Sequence, residues 1–497
     1  MKLRFLLALA LLVVAGRGHA QQTAVGSRPA GVTQRAVDVP SNDDLVARIV
    51  QEGTVRSHVA QDLSYLLDVI GPRLAGTPGM RRANEWTQQK FREYGADRAD
   101  LESFKFGVGW TRGPMTLRML APQRREMIGV SWAWAPGTNG PTAGNVVYLD
   151  ARTRSEFDRR FAGKLRGAWV MLGPSTPILN PDAPPTRADS GRLDSLRRAN
   201  AAHNDDESRY LDVRGALLVQ EGIAGAIRDG GKEFGLLTMS GSPTAILPYP
   251  LIVIATEDYS QLERLAKRGE PTRLEADIKN TFTQGPVDQY NTVAEIRGTE
   301  KPDEVVLVGA HLDSWDLSTG GTDNGTGAIA VLETARILKA AGVQPKRTIR
   351  FVLFGAEEEG LLGSQAYTAA HEKELDKFQA VLVLDNGTGR ISGMALQGRE
   401  DLRDMWKAML QPATVLDALV VRSGNKTGTD HLAFLPFGVP SFNYDQLTRG
   451  YNHTHHSQVD DFSHTVPGDV AQAATIMAIN AWQLADMREF LPRGPKQ

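Results

Sequence analysis

The 497-residue sequence contains no cysteine. This absence excludes disulfide bonds, thiolate metal ligands and a cysteine nucleophile. Any metal site in the chain must therefore use histidine, aspartate, glutamate or water. The sequence also has no excess of basic residues, because it contains 56 Lys and Arg residues and 58 Asp and Glu residues. Nucleic-acid binders usually carry a basic patch, so we expect no nucleic-acid partner.

The sequence also lacks an apolar run of the roughly 20 residues that a membrane-spanning helix needs. The apolar run Phe5–Ala15 follows Lys2 and Arg4, and small residues follow it as far as Ala20. This is the arrangement of a secretory signal peptide. The alternative, a short membrane anchor, is disfavoured by the length of the run. We therefore predict cleavage before Gln21, no membrane anchor, and a secreted or periplasmic protein.

Changes in composition divide the rest of the chain. Residues 21–40, after the predicted signal peptide 1–20, form a flexible lead-in rich in Gly, Ser, Thr and Pro. Residues 41–115 and 286–492 are predicted to form one catalytic domain, and residues 116–285 an inserted domain rich in short β-like runs. In 286–492, continuous apolar strands alternate with helices, which indicates a sheet covered on both faces. We predict an α/β fold with a mixed, mostly parallel sheet and an inserted β-rich domain.

Acidic residues and histidines collect where these predicted strands end. Loops at such carboxyl ends commonly hold ligands in α/β sheets. Each motif alone is usually explained without a function, as a surface ion pair, a turn or the solvated start of a helix. Because several such motifs occur at successive strand ends, we favour one shared site. The candidates in chain order are His311, Asp313, Asp323, Glu357, Glu358, Asp385, His455 and His456.

These residue types match a zinc site without sulfur, which uses histidine nitrogen and carboxylate oxygen. Several carboxylates together indicate more than one cation, and an aspartate can bridge two metals with its two oxygens. Burying so many acids without cations would be costly or would leave some of them protonated. The sequence therefore predicts a metal centre with two ions.

Five segments, which include most of these candidates, are "GAHLDSW", "GGTDNGTGAIAVLETARIL", "PKRTIRFVLFGAEEEGLLGSQAY", "GTDHLAFLPFGVPSF" and "HHSQVDD". Taken together, they resemble the two-zinc exopeptidases of the bacterial leucyl aminopeptidase type, and within them the carboxypeptidase Q subgroup. The resemblance covers 45–120 and 285–492, while the middle of the chain is similar to a protease-associated domain.

The resemblance implies two Zn²⁺ ions per chain. Asp323 would bridge them, His311 and Asp385 would complete one site, and Glu358 and His456 would complete the other. His456 is preferred because the family's metal histidine stands four residues before an aspartate, here Asp460. His455 is the alternative.

The resemblance also implies that Glu357 is the general base and that Asp313 orients the His311 ring through its other nitrogen. Because three glutamates are consecutive, the base and the adjacent metal ligand could also be Glu358 and Glu359. The family spacing "EExGLxGS" selects Glu357 and Glu358, which leaves Glu359 without a role.

Asp430 and His431 match another family segment, near the substrate pocket. The leading hypothesis is an exported zinc exopeptidase that acts on dipeptides or on peptides with a free amino terminus. The subgroup also implies a homodimer. The alternatives are a glutaminyl cyclase-type acyltransferase and a binding ectodomain without metals. The sequence does not separate aminopeptidase from dipeptidase activity, and it does not identify the preferred side chain.

Overall fold

A computed structural model describes residues 38–177 and 205–495. The predicted signal peptide and most of the predicted lead-in lie outside these residues. The chain divides into two compact units, one spanning Trp110–Thr283 and the other formed by the described residues before and after it. Each unit contains its own eight-stranded sheet.

The strands alternate with turns and helices along both units. The strands are β1 (Arg98–Thr111), β2 (Met115–Ala121), β3 (Arg125–Glu126), β4 (Gly129–Ser131), β5 (Thr142–Tyr148), β6 (Trp169–Met171), β7 (Gly225–Asp229), β8 (Leu251–Ile254), β9 (Arg273–Ile278), β10 (Thr281–Ile296), β11 (Lys301–His311), β12 (Arg347–Phe354), β13 (Phe378–Val383), β14 (Ile391–Ala395), β15 (Val420–Arg422) and β16 (Ser441–Gln446).

The α-helices are α1 (Asp43–Thr54), α2 (Val59–Ser64), α3 (Pro78–Glu93), α4 (Arg154–Arg160), α5 (Asp205–Glu221), α6 (Thr256–Lys267), α7 (Thr326–Ala340), α8 (Leu362–Ala370), α9 (Arg403–Leu410), α10 (Tyr451–Thr454) and α11 (Pro467–Asp486). Within the described ranges, no helix combines the length and the apolar character that crossing a membrane requires.

The sheet of the larger unit runs in the order β1-β10-β12-β11-β13-β16-β14-β15. Its four central strands, β12, β11, β13 and β16, are parallel to one another. The strands β10 and β14 join them antiparallel, and β15 pairs parallel with β14. The prediction of a mixed, mostly parallel sheet is confirmed.

Alternate side chains of the central strands enter two separate apolar clusters, as the period of two in a β-strand requires. On one face, Val306 and Val308 of β11 pack in a cluster that includes helices α7 and α11. On the other face, Val305 and Leu307 pack with Phe434 and with Tyr367 of α8. Helices therefore cover both faces, and the central strands are buried over most of their length.

The unit Trp110–Thr283 has the sheet order β3-β2-β9-β5-β6-β7-β8-β4. Strands β5 to β8 pair in parallel, while β2, β4 and β9 form antiparallel pairs. This region is rich in short strands, as predicted from the short β-like runs in its sequence. Its assignment as a protease-associated-like domain and the domain bounds stay predictions.

Candidate metal centre

The candidate residues reach one edge of the larger sheet. Because β12, β11, β13 and β16 are mutually parallel, their carboxyl ends point the same way. His311 is the last residue of β11, while Glu357 and Asp385 follow β12 and β13. His456 follows β16 and the short helix α10. Residues far apart in the chain therefore meet at this edge.

Asp323 reaches the same edge from the turn Gly321–Gly325, in front of helix α7. Its backbone is extended, with φ −133° and ψ 88°, and the peptide bond to Asn324 is cis. The Asn324 side chain donates a hydrogen bond to the carbonyl of Leu384 at 2.9 Å. This contact ties the turn that carries Asp323 to the loop that carries Asp385.

The Asp323 carboxylate lies between two histidine-containing groups. Its Oδ1 is 3.4 Å from His311 Nε2, and its Oδ2 is 3.4 Å from His456 Nε2. On the first side, Asp385 Oδ1 lies 3.5 Å from His311 Nε2. Asp323 thus offers one oxygen to each group.

Glu358 and the two adjacent histidines form the second group. Glu358 Oε2 is 2.9 Å from His456 Nε2. His455 Nε2 is farther from Asp323 Oδ2, at 3.8 Å, and its ring stacks on His456 with centroids 3.7 Å apart. The edge of Trp315 contacts the His456 ring at a centroid distance of 5.8 Å. His456 therefore has the closer contacts to the carboxylates of this group.

The donor atoms form two overlapping groups, each of which could hold a cation. Two sets of side chains in the described part of the chain could each hold an ion, His311–Asp323–Asp385 and Asp323–His455–His456, and they share Asp323. His311 Nε2, Asp323 Oδ2 and Glu358 Oε1 are buried and have no hydrogen-bond partner. Unpaired buried polar atoms are costly, and metal ions would satisfy them. Histidine nitrogen and carboxylate oxygen are ligands that suit zinc.

The backbone of the glutamate pair is fixed by Asp313. The N–H groups of Glu357 and Glu358 donate to the two carboxylate oxygens of Asp313, each at 3.2 Å. His311 Nδ1 lies 3.1 Å from the main-chain carbonyl oxygen of Asp313 and 3.7 Å from its carboxylate. Asp313 thus contacts the other nitrogen of the ring, but through its carbonyl, while its carboxylate holds the glutamate turn.

Two glycines explain why this turn is tight. Gly360 has a φ of +110°, which favours glycine. A Cβ at Gly363 would lie 2.1 Å from the carbonyl oxygen of Gly355, so only glycine lets α8 begin this close to the end of β12. The spacing that selected Glu357 and Glu358 therefore has a steric basis.

The glutamate run lies against other acids, with Glu359 buried and Glu357 and Glu358 half-buried. Burial is the largest cause that raises the pKa of Glu357 and of Glu358 well above the ordinary glutamate value, and the carboxylate of Asp385 acts in the same direction on both. The pKa of Glu359 is also raised, by burial and by Asp313, and its two oxygens have no hydrogen-bond partner. Bound cations would offset this repulsion and favour the ionised carboxylates.

Asp430 and His431 lie at the start of the 3₁₀-helical segment Asp430–Phe437, and both are fully buried. Burial raises the pKa of Asp430 to about 7 and lowers the pKa of His431 to about 4. Asp430 also contributes to the raised pKa of Glu357. The structure therefore places this pair beside the centre, with His431 neutral at physiological pH.

Two residues with contacts to the centre have no role in the sequence-based prediction. Asp460, used there only as a spacing marker, accepts hydrogen bonds from the N–H of Thr322 at 2.6 Å and of Asp323 at 3.1 Å. Its place four residues after His456 was the available signal. The second residue is Arg73, in the loop "GPRLAGT", whose side chain donates hydrogen bonds to main-chain carbonyls in the loops that carry His311 and Asp323. Main-chain carbonyls are present in every residue, so the sequence gives no sign of these contacts.

Comparison with known proteins agrees with this geometry. Residues 291–480, which include every candidate of the centre, match peptidase family M28. Carboxypeptidase Q from Mus musculus is 29% identical over 93% of this chain and 95% of its own length. A peptidase M28 precursor from Shewanella amazonensis SB2B has a TM-score of 0.72 at 24% identity, covering 91% of this chain and 99% of that one.

The structure of a zinc aminopeptidase from Bacillus subtilis has a TM-score of 0.60 at 20% identity, covering 88% of this chain and 98% of that one. At these identities, the two structural likenesses establish the fold. Sequence match, fold and clustered ligands agree, and the resemblance seen in the sequence is confirmed. The chain is a metallopeptidase similar to carboxypeptidase Q, and its residues 291–480 match peptidase family M28.

Proposed function

We propose that this chain is an exported zinc exopeptidase with two metal ions, and that it hydrolyses dipeptides or removes N-terminal residues from peptides with a free amino group. One observation carries the proposal. The Asp323 carboxylate directs one oxygen to His311 and the other to His456, each at 3.4 Å. A carboxylate in this position is suited to bridge two ions.

In this proposal His311 and Asp385 would hold the first ion, Glu358 and His456 would hold the second, and Asp323 would contribute to both sites. Bound zinc ions would supply Lewis acidity, which lowers the pKa of water and polarises the scissile carbonyl.

Glu357 is the proposed general base. It takes a proton from the attacking water and transfers it to the leaving amine. Its neighbour Glu358 is a ligand, so the base stays close to the centre without being a ligand itself. The two N–H groups that donate to Asp313 support this arrangement, because they hold the turn of both glutamates in one orientation.

Asp430 and His431 are proposed to contact the substrate. Both are buried, with Ser364 near Asp430 and the Lys426 backbone near His431, but none of their four polar side-chain atoms has a hydrogen bond of standard geometry. A peptide that enters the site brings an amine and amide groups that could satisfy these atoms.

The substrate class follows from the relatives. Carboxypeptidase Q and the zinc aminopeptidase are both named for removing residues from a chain end. We therefore expect the site to require a free terminus, and the carboxypeptidase Q likeness favours dipeptides.

Export and a homodimer are part of the proposal. Export is supported by the basic, apolar and small residues in the first twenty positions, and the dimer by the resemblance to the carboxypeptidase Q subgroup. N-terminal sequencing of the mature protein, which should begin at Gln21, tests the first. Light scattering on the purified protein tests the second.

The main test is a hydrolysis panel on the purified chain, with metal content measured alongside. Dipeptides and aminoacyl chromogenic substrates should be cleaved, and N-blocked dipeptides should be cleaved far more slowly. Full activity with fewer than two metals per chain would contradict the two-zinc centre. Equal rates on blocked and free peptides would contradict the free-amine requirement, and cyclisation of N-terminal glutamine would favour the glutaminyl cyclase alternative.

A further inference from the structure

Arg73 is a fully buried arginine next to the metal centre. It lies in the loop between the π-helical turn Tyr65–Ile70 and helix α3. Its guanidinium donates hydrogen bonds to main-chain carbonyls: Nε to Leu312 at 2.6 Å, Nη1 to Thr319 at 2.6 Å and Nη2 to Gly320 at 2.8 Å. One side chain thus contacts two separate segments of the larger unit.

These segments carry ligands of both proposed ions. Leu312 directly follows His311, and Gly320 directly precedes the turn Gly321–Gly325 that carries Asp323. The main chain of Arg73 also makes two hydrogen bonds with Ser314. The Arg73 N–H donates to the Ser314 hydroxyl at 3.1 Å, and the Ser314 N–H donates to the Arg73 carbonyl at 3.2 Å. Arg73 therefore connects the His311 loop to the Asp323 turn.

The turn packs directly on the guanidinium. A Cβ at Gly320 would lie 3.0 Å from Nη2 of Arg73 and 2.2 Å from Cβ of Ser314. The backbone of Gly320 also has a φ of +62°. Glycine at this position thus permits the close approach that the hydrogen bond to Nη2 requires.

Arg73 also brings a positive charge to an acidic region. Burial lowers its pKa to about 10, while Asp460, Asp313, Asp323 and Glu358 act in the opposite direction. The side chain is therefore a cation at neutral pH. Since its hydrogen bonds go to carbonyl groups, it attracts these carboxylates without occupying their oxygens.

We propose that Arg73 is a positioning residue for the metal centre. It holds the loop of His311 and the turn of Asp323 in one relative orientation, and its charge reduces repulsion among the ligand carboxylates. The proposal rests on the metal centre of the proposed function. Arginine suits this role better than lysine, because its planar group presents donors in a rigid fork.

The test compares Arg73→Lys with Arg347→Lys. Arg347 is also fully buried and also donates to main-chain carbonyls, those of Ala485 and Met487, but these lie at the end of α11. Both variants exchange a buried guanidinium for an ammonium, so both should lower the melting temperature. Only Arg73→Lys should weaken metal binding, by about 10- to 100-fold as for other residues that orient ligands.

Metal affinity is measured with Zn²⁺ against a competing chelator, and ligand geometry by the visible spectrum of the Co²⁺-loaded protein. We expect Arg73→Lys to alter the spectrum and to lower kcat with little change in KM. Arg347→Lys should leave the spectrum, kcat and KM as in the wild type. Wild-type affinity and spectrum in Arg73→Lys, with only a lower melting temperature, would overturn the proposal.

If Arg73→Lys does not fold, Ser314→Ala decides the question. It removes the hydroxyl that accepts the Arg73 N–H and leaves the guanidinium in place. A several-fold weaker Zn²⁺ affinity is expected, and an unchanged affinity would count against the role of Arg73. A wild-type protein that binds no metal would instead contradict the proposed function itself.

Discussion

Nε2 of His456 lies 2.9 Å from Oε2 of Glu358, whereas Nε2 of the neighbouring His455 lies 3.8 Å from Oδ2 of Asp323. Both rings occupy the same part of the centre. The left-handed backbone of His456, with a φ of +57°, accompanies its closer contacts. Two histidines adjacent in sequence are therefore not equivalent.

This difference predicts that His456→Ala loses one of two bound metals, and that His455→Ala keeps both. Loss of a ligand should weaken that site by at least about 100-fold, the upper range for residues that only orient ligands. Metal analysis after dialysis against a chelator measures the effect. Two retained ions in His456→Ala, with one in His455→Ala, would reverse the assignment.

The glutamate run gives a second prediction. Glu357→Gln should keep two metals but lower kcat by about 10²- to 10⁴-fold, which is the usual contribution of a general base. Glutamine has a similar size and cannot take the proton. Steady-state kinetics and metal analysis on the same sample measure both effects.

Glu358→Gln and Glu359→Gln serve as comparisons for this result. Glu358→Gln should lose metal, and Glu359→Gln should retain both metal and most activity. If Glu359→Gln loses a metal and Glu357→Gln stays active, the pair is shifted by one residue.

The sequence indicated candidate residues of the centre because most of them follow an apolar strand or a glycine-rich turn, and the family resemblance implied their roles as ligands. His311, Asp385 and Glu357 could be placed at one edge once the strands were taken as parallel, since the carboxyl ends of parallel strands meet there. The order of strands at the far edge was not predicted. Strand β14 pairs antiparallel to β16, and this reversal depends on pairing between segments distant in sequence.

Contacts made by the main chain also could not be predicted. The carbonyl of Asp313 accepts from the His311 ring, while its carboxylate accepts from the backbone of the next loop. Every residue has a carbonyl, so residue types do not reveal which one is used. The contacts of Arg73 are hidden from sequence for the same reason.

Asp460 provides a third prediction. Its carboxylate accepts bonds from the N–H and the hydroxyl of Thr322, and from the N–H of Asp323. Asp460→Asn keeps the size but replaces one acceptor oxygen with a donor. We expect metal affinity to fall by about 10- to 100-fold, because the turn that carries Asp323 is held less firmly.

Chelator competition measures the Asp460→Asn effect. The matched control is Asp461→Asn, which changes a half-exposed neighbour that caps the short helical turn Phe462–His464. Equal metal affinity in the two variants would show that Asp460 does not orient Asp323.

A fourth prediction concerns pH and a group away from the centre. His371 follows helix α8, where its Nε2 lies 2.9 Å from Glu102 and its Nδ1 lies 3.2 Å from Glu374. The hydrogen bond to Glu102 is the largest cause of the raised pKa of His371, with burial acting against it. The folded state therefore holds this proton more tightly than the unfolded state.

A raised histidine pKa stabilises the fold at low pH and not at high pH. The contribution is complete below the ordinary histidine pKa of about 6.5, and it is lost as the pH rises through the higher pKa of the folded protein. His371→Gln should therefore reduce the free energy of unfolding most near pH 6 and least near pH 9. For a partly exposed pair we expect a contribution of about 0.2–1 kcal/mol.

Denaturant unfolding of the wild type, His371→Gln, Glu102→Gln and the double variant gives the coupling energy of the pair at each pH. A coupling energy that grows between pH 6 and pH 9 would contradict the expected direction of the pH dependence.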